Sequence, residues 1–256
     1  MLKKTASYIG IPLFYLFLYL PISVLLLFSF NSEGFPSPWK GFTLKWYEEL
    51  FRSPFLWEAF GNSLIVASFS TFICLSLGLF LIYYATQGGK VKRFLLLFYG
   101  NLVIPETVLG VSLLGFFSFF SIPLGLITLI FAHTVLGLGV TLPILYARYE
   151  ELDLKLTEAS SVLGATPVQT FFKVTLPLMF PTAITTALLV FILSFDDFVL
   201  SYFCAGSTAQ TLSLYILSMI RSGISPVINA LSAILLTLSS LLVLTFFSIK
   251  TRKRIL

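Results

Sequence analysis

The 256-residue sequence is poor in charge, in histidine and in cysteine. Only 11% of its residues are Asp, Glu, Lys or Arg, whereas soluble globular proteins carry roughly 25%. Its one histidine and its two cysteines, Cys74 and Cys204, offer neither a disulfide framework nor the spacing of a metal site. The sequence also lacks a phosphate-binding P-loop and a nucleophile elbow. We therefore expect no catalytic residue, no metal site and no cofactor bound by this chain.

The sequence contains several long runs without charged residues, and 57% of its residues are hydrophobic. A membrane-crossing helix needs about 20 mostly apolar residues. The first run is longer than the apolar core of a cleavable signal peptide, so we interpret it as a retained span. The composition predicts an all-α membrane protein that forms one domain over residues 1–256. We predict six transmembrane helices, at about 9–30, 62–84, 94–119, 124–146, 182–203 and 228–249.

Lysine and arginine are unevenly distributed between the loops. If both termini are cytoplasmic, 12 of the 16 basic residues lie in cytoplasmic segments and four lie outside. Basic residues are retained on the cytoplasmic side of a membrane, so we predict that orientation. It places the loop 148–181 in the cytoplasm. The basic residues are dispersed at span ends, which favours lipid contact and argues against a nucleic-acid partner.

Three carboxylates fall inside predicted spans: Glu106, Asp196 and Asp197. A charge there costs about 2.5–3.5 kcal/mol, so it usually faces a cavity or a partner. We take the three as the candidate lining of a path for a cation. Adjacent residues on a helix point about 100° apart, so one aspartate would face the path and the other a neighbouring helix. The alternative is a structural role, in which hydrogen bonds between helices or Arg221 hold the carboxylates.

Four other residues in or near the spans have both a structural and a functional interpretation. The lone His133 lies among glycines and threonines, which is typical of a packed, hydrogen-bonded group, and a functional role is the alternative. Pro105 predicts a kink in span three, and loosening of that span for gating is its functional interpretation. Trp46 and Tyr47 are predicted to anchor the chain at the membrane interface, and stacking on a cationic substrate is the alternative.

The loop 148–181 is predicted to contain two short helices separated by a sharp turn. Gly164 would end the first helix in a left-handed conformation. Thr166–Pro167 would cap and begin the second helix, and Leu176–Pro177 would end it. Apolar residues recur at helical spacing along the first helix, at Leu152, Leu156, Ala159 and Leu163.

This loop resembles the coupling motif of permease subunits from binding-protein-dependent ABC importers. That motif reads Glu-Ala-Ala, three residues, Gly, nine residues, Ile, one residue, Leu-Pro. The present chain has the same spacing and differs at two positions, Ser160 for Ala and Val174 for Ile. In the family, the loop docks into a groove of a cytoplasmic ATPase. The resemblance implies that the ATPase-coupling residues are Glu158, Ala159, Ser160, Gly164, Val174, Leu176 and Pro177.

Further segments resemble the second permease subunit of spermidine/putrescine importers. The resemblance implies the type I ABC importer (MetI-like) permease fold in a bacterial inner membrane. It implies a second homologous permease, an ATPase dimer that holds ATP and Mg, and an extracytoplasmic polyamine-binding protein as partners. The resembling segments are 29–31, 41–47, 194–197 and 225–230.

The function that this resemblance implies is ATP-driven polyamine import by alternating access. The candidate substrate path is Asp196, Asp197, Glu106, Trp46 and Tyr47. One alternative is an ABC permease for another small cation or ferric iron. A second alternative is an ion-coupled secondary transporter, which would need no ATPase and would not explain the coupling motif.

Overall fold

Helices make up nearly all of the regular structure. The computed structural model describes residues 2–34, 37–221 and 226–252. Within these ranges, the only β-type pairing is an isolated antiparallel bridge between Asn31 and Phe42, so the predicted all-α class is confirmed. The helices are α1 Leu2–Phe28, α2 Lys45–Arg52, α3 Pro54–Thr86, α4 Lys92–Val103, α5 Glu106–Phe119, α6 Leu126–Glu150, α7 Leu154–Val162, α8 Pro167–Thr170, α9 Leu176–Asp196, α10 Val199–Cys204, α11 Leu212–Arg221 and α12 Pro226–Arg252.

Four helical segments of the described chain are long and apolar enough to cross a membrane: Ile11–Phe28, Pro54–Thr86, Leu126–Glu150 and Pro167–Asp196. A fifth crossing results if the bent pair α4 and α5 is counted as one span. The apolar part of α12, Pro226–Leu241, is shorter. The count of six spans and the cytoplasmic position of both termini therefore stay predictions.

The predicted span three, 94–119, consists of two helices, and the interruption predicted at Pro105 is present. Its two halves, α4 and α5, are bent by 116°. Ile104 is extended, with ψ 128°, because a following proline disfavours helical backbone. Pro105 thus produces a break far sharper than a kink. Glu106 is the first residue of α5 and does not lie in the middle of a helix.

The prediction that Leu176–Pro177 ends the second helix of the loop is wrong. From Pro167 the chain stays helical through α8, a π-helical turn at Phe171–Thr175, and α9. In the π-helical turn, the N–H of Leu176 donates to the carbonyl of Phe171, five residues back. This wider turn shifts the hydrogen-bond register, so the missing N–H of Pro177 and its ring are tolerated in the first turn of α9.

Span five is also interrupted, at the aspartate pair. We predicted one helix over 182–203, but α9 ends at Asp196 and Asp197 is extended, with φ −62° and ψ 127°. The short helix α10 then begins at Val199. The two aspartates therefore do not share one helix, and the 100° argument for their directions does not apply.

Contacts within the chain define two compact units, residues 1–56 with 216–256 and residues 57–215. In the first unit, α1 and α2 both pack against α12. In the second unit, α6 packs against α4, α9 and α10, and α10 packs against α5. Buried Leu129, Leu200 and Phe117 form part of one core cluster there. Cys74 and Cys204 are buried thiols. The single-domain assignment stays a prediction.

Some predicted features fall outside the described residues. These are residue 225 of the resembling segment 225–230 and the tail after Arg252.

Candidate functional site

The turn between α7 and α8 has the predicted geometry. Gly164 has φ +84°, the left-handed conformation that an L side chain disfavours. The N–H of Ala165 donates to the carbonyl of Ser160 at 3.0 Å, which closes the C-terminal end of α7. The Thr166 hydroxyl accepts from the N–H of Gln169, and the Gln169 side chain accepts from the N–H of Thr166 at 2.9 Å. These reciprocal bonds form a capping box that starts α8.

The two helices of this loop are joined by a side-chain hydrogen bond. The hydroxyl oxygens of Ser160 and Thr170 are 2.7 Å apart. Ser160 is the position where the family motif has alanine, so this chain has a contact that the motif residue cannot form. Phe171 is buried at the end of α8 and makes an edge contact with Tyr83 of α3 at 5.2 Å. The loop is therefore fixed on the ends of the long helices.

The end of α7 presents apolar side chains to solvent. Val162 and Leu163 are each 87% exposed. Val168 and Phe172, on the following helical run, are exposed too. Of the predicted apolar face of α7, Leu152 packs against a buried cluster around Leu145, whereas Leu163 does not. An exposed apolar patch of this kind is typical of a surface that binds another protein.

A groove of about 400 Å³ is formed by α7 and α8 together with the ends of α3 and α6. Glu158 lines it with an exposed carboxylate. The groove is open and lies on the same loop as Gly164. Its other lining residues are Thr86, Gln87, Tyr149, Thr157, Ser161, Pro167 and Thr170.

The three predicted path carboxylates have different environments. Asp196, at the end of α9, and Glu106, at the start of α5, are exposed. Asp197 is only 7% exposed. Asp196 and Glu106 are therefore available to a ligand, whereas Asp197 is enclosed by the protein.

Asp197 is bound by backbone groups of the helix that follows it. Its Oδ2 accepts from the N–H of Ser201 at 2.9 Å, and its Oδ1 accepts from the N–H of Leu200 at 3.4 Å. The carbonyl of Asp197 accepts from the hydroxyls of Ser213 at 2.7 Å and Ser201 at 3.1 Å. A buried carboxylate is tolerated only when such donors surround it.

His133 connects Asp197 to the end of α9. Its Nε2 lies 3.4 Å from Oδ2 of Asp197, and its Nδ1 lies 2.7 Å from the hydroxyl of Ser194. The Ser194 hydroxyl is 3.1 Å from that of Ser70 on α3. All four side chains are buried. The prediction that His133 is a packed, hydrogen-bonded group is confirmed.

The sequence reasoning missed the serines of this network: Ser70, Ser194, Ser201 and Ser213. Serine is common in membrane helices, so no single one of them attracts notice. Spacing along a helix face gave no signal either, because Ser194, Asp197 and Ser201 lie on both sides of the break between α9 and α10. Their partner His133 is 61 residues from Ser194 along the chain, and only the fold brings the two together.

Trp46 and Tyr47 belong to the first unit and are held by the segment after α1. Trp46 Nε1 donates to the carbonyl of Asn31 at 2.8 Å. The Tyr47 hydroxyl is 2.7 Å from that of Ser29, and its ring stacks on Phe30. Both are half-buried. Through these contacts, the two aromatic residues hold the start of α2 against the segment 29–31 that follows α1.

Asn31 organises the segment between α1 and α2. Its side chain is fully buried, donates to the carbonyls of Glu33 and Pro38, and accepts from the N–H of Lys40 at 2.9 Å. Lys40 Nζ in turn donates to Glu33 at 2.8 Å. This hydrogen bond lowers the pKa of the Glu33 carboxyl, and the charge of Lys40 adds to the effect.

Comparison with known proteins agrees with these features. The chain is 38% identical over 233 residues to the spermidine/putrescine transport system permease protein PotC of Escherichia coli K12, covering 90% of this chain and 88% of that one. It is 34% identical over 229 residues to the putrescine transport system permease protein PotI of the same strain, covering 86% and 82%.

A crystal structure of a bacterial ABC transporter involved in the import of the acidic polysaccharide alginate superposes with a TM-score of 0.71. The match covers 98% of this chain and 95% of that chain at 18% identity, which confirms the predicted importer permease fold. The family model for the binding-protein-dependent transport system inner membrane component matches residues 1–252. The chain therefore belongs to the family of inner membrane components of binding-protein-dependent transport systems.

Proposed function

We propose that this chain is a permease subunit of an ATP-driven importer that carries polyamines into the cytoplasm. The observation that carries the proposal is the similarity over nine-tenths of the chain to the spermidine/putrescine permease. The exposed carboxylates of Asp196 and Glu106 support a cationic substrate. Anionic groups in an apolar wall attract ammonium groups and repel anions.

The loop that contains α7 and α8 is the proposed contact with a cytoplasmic ATPase dimer. Its exposed apolar end, with Val162 and Leu163, supplies a surface for a protein partner. The capped turn at Gly164 and the bond between Ser160 and Thr170 make the loop stiff. A stiff loop can transmit the closure of the ATPase to the spans, since α8 continues into α9.

The remaining partners are a second permease, which completes the path, and an extracytoplasmic binding protein, which delivers the polyamine. The ATPase supplies the sites for ATP and Mg. In this arrangement both termini and loop 148–181 are cytoplasmic, and the region around Asn31 and Trp46 is outside. The uneven distribution of lysine and arginine supports that orientation. Together the six proposed spans form one permease domain.

Uptake into proteoliposomes tests the proposal. The vesicles contain this chain, the ATPase and the partner permease, with ATP on the ATPase side and binding protein with radiolabelled spermidine or putrescine on the other. We expect uptake that requires both ATP and the binding protein. Uptake without the ATPase would refute ATP-driven import and favour a secondary transporter. ATPase activity that responds to binding protein without polyamine movement would refute the substrate class alone.

A further inference from the structure

His133 lies at the centre of a buried network of polar side chains. Its Nε2 lies 3.4 Å from Oδ2 of Asp197 and 3.5 Å from the hydroxyl of Ser201. Its Nδ1 lies 2.7 Å from the hydroxyl of Ser194, which is 3.1 Å from that of Ser70. Ser70 donates to the carbonyl of Ala67 at 3.2 Å. Residues of α3, α9 and α6 thus form one relay of polar contacts that ends at the carboxylate of Asp197.

The relay holds the break between α9 and α10 from both sides. Ser194 belongs to the last turn of α9, and Asp197 binds the first N–H groups of α10. His133, on α6, contacts both residues. The exposed Asp196 lies between these two anchored positions. The direction of its side chain therefore depends on a backbone break that His133 bridges.

We propose that His133 is a positioning residue for transport: it fixes Asp197 and the helix break so that the carboxylate of Asp196 faces the substrate. The inference rests on the proposed function, because Asp196 matters in this way only if a cation passes it. It assigns different roles to the two aspartates. Asp196 contacts the polyamine, and Asp197 holds the geometry without touching it.

A matched pair of substitutions separates the two contacts of the ring, with Asp197 and with Ser194. In His133→Gln, the longer side chain places its amide near the position of Nε2 and keeps a donor toward Asp197. In His133→Asn, the shorter side chain places its amide near Nδ1 and keeps only the Ser194 side. Thr134→Val is the control, because the Thr134 hydroxyl bonds only to the Ile130 carbonyl of its own helix, at 2.6 Å.

The first readout is the amount of radiolabelled spermidine transported per ATP hydrolysed by the reconstituted complex. With His133→Asn we expect this ratio to fall about tenfold, because a buried carboxylate loses its partner. With His133→Gln and Thr134→Val it should stay within about twofold of the wild type. Simple loss of assembled complex would lower uptake and ATP hydrolysis together and leave the ratio unchanged.

The second readout needs no substrate. Cys204 at the end of α10 and Cys74 on α3 are both fully buried. If the break opens in His133→Asn, alkylation of Cys204 should rise about tenfold, and that of Cys74 should not. Mass spectrometry of the two peptides measures each rate in the same sample.

The outcomes are distinguishable. Equal ratios of transport to ATP hydrolysis in His133→Asn and His133→Gln, or a proportional rise in the alkylation of both cysteines, would overturn the positioning role. A wild-type complex whose ATPase responds to the binding protein but that moves no polyamine would instead refute the proposed polyamine substrate. Selective alkylation of Cys204 in His133→Asn would then still show that His133 holds the break, and equal alkylation would show that it does not.

Discussion

The conformation of Gly164 leads to a prediction with a defined sign and size. At φ +84°, a Cβ added to this residue would meet no heavy atom within 4 Å. Gly164→Ala therefore introduces no clash, and its effect is the conformational cost of a left-handed L residue, about 1–2 kcal/mol. That cost corresponds to about a tenfold shift from the native turn to other conformations. In the native turn, Ser160 closes α7 and Thr166 starts α8.

We expect ATP-driven uptake by Gly164→Ala to fall by up to about tenfold at matched amounts of assembled complex. Gly88→Ala is the control, because Gly88 has φ +78° and equally open surroundings, in the turn after α3. Gly88→Ala has the same conformational cost as Gly164→Ala, but in a turn outside α7 and α8. Uptake by Gly88→Ala should therefore change little. Gly164→Asn should recover part of the activity, since asparagine tolerates this conformation. Wild-type uptake by Gly164→Ala, or equal losses in Gly88→Ala, would refute the reasoning.

Three further predictions concern other parts of the chain. Asp196→Asn should lower polyamine uptake with normal complex assembly, whereas Asp197→Asn should lower the yield of assembled complex; the reverse order, seen by uptake and size-exclusion chromatography, would contradict the burial argument. Ser160→Ala should speed limited proteolysis of the loop about fivefold, as expected for a lost bond of about 1 kcal/mol, and unchanged cleavage would show that the bond contributes little. The pKa of Glu33 is lowered by Lys40, so the stabilisation from this pair is present at neutral pH and is lost as the pH falls through that lowered pKa; Lys40→Met should raise the pKa in a carboxyl ¹³C titration, and an unchanged value would exclude the pair as its cause.

Local features of the site followed from the sequence because they depend on residues close in the chain. Gly164 ends α7 and Thr166 begins α8 as predicted, since caps are decided within a few residues. Leu176–Pro177 misled the prediction, because a π-helical turn let the helix continue through the proline. Pro105 was recognised as a disruption, but a sequence does not specify the angle between the two halves.

The all-helical class, the apolar spans before residue 200 and the two-helix loop 148–181 could be predicted from the sequence, because composition, periodicity and caps are properties of short segments. The environments of the carboxylates could not, because they depend on contacts between distant parts of the chain. Asp196 and Asp197 are neighbours with the same chemistry, yet one is exposed and the other is enclosed by His133 and the N–H groups of α10. That difference arises because the chain breaks at Asp197, and because α6 brings His133 to the break from 64 residues away in sequence.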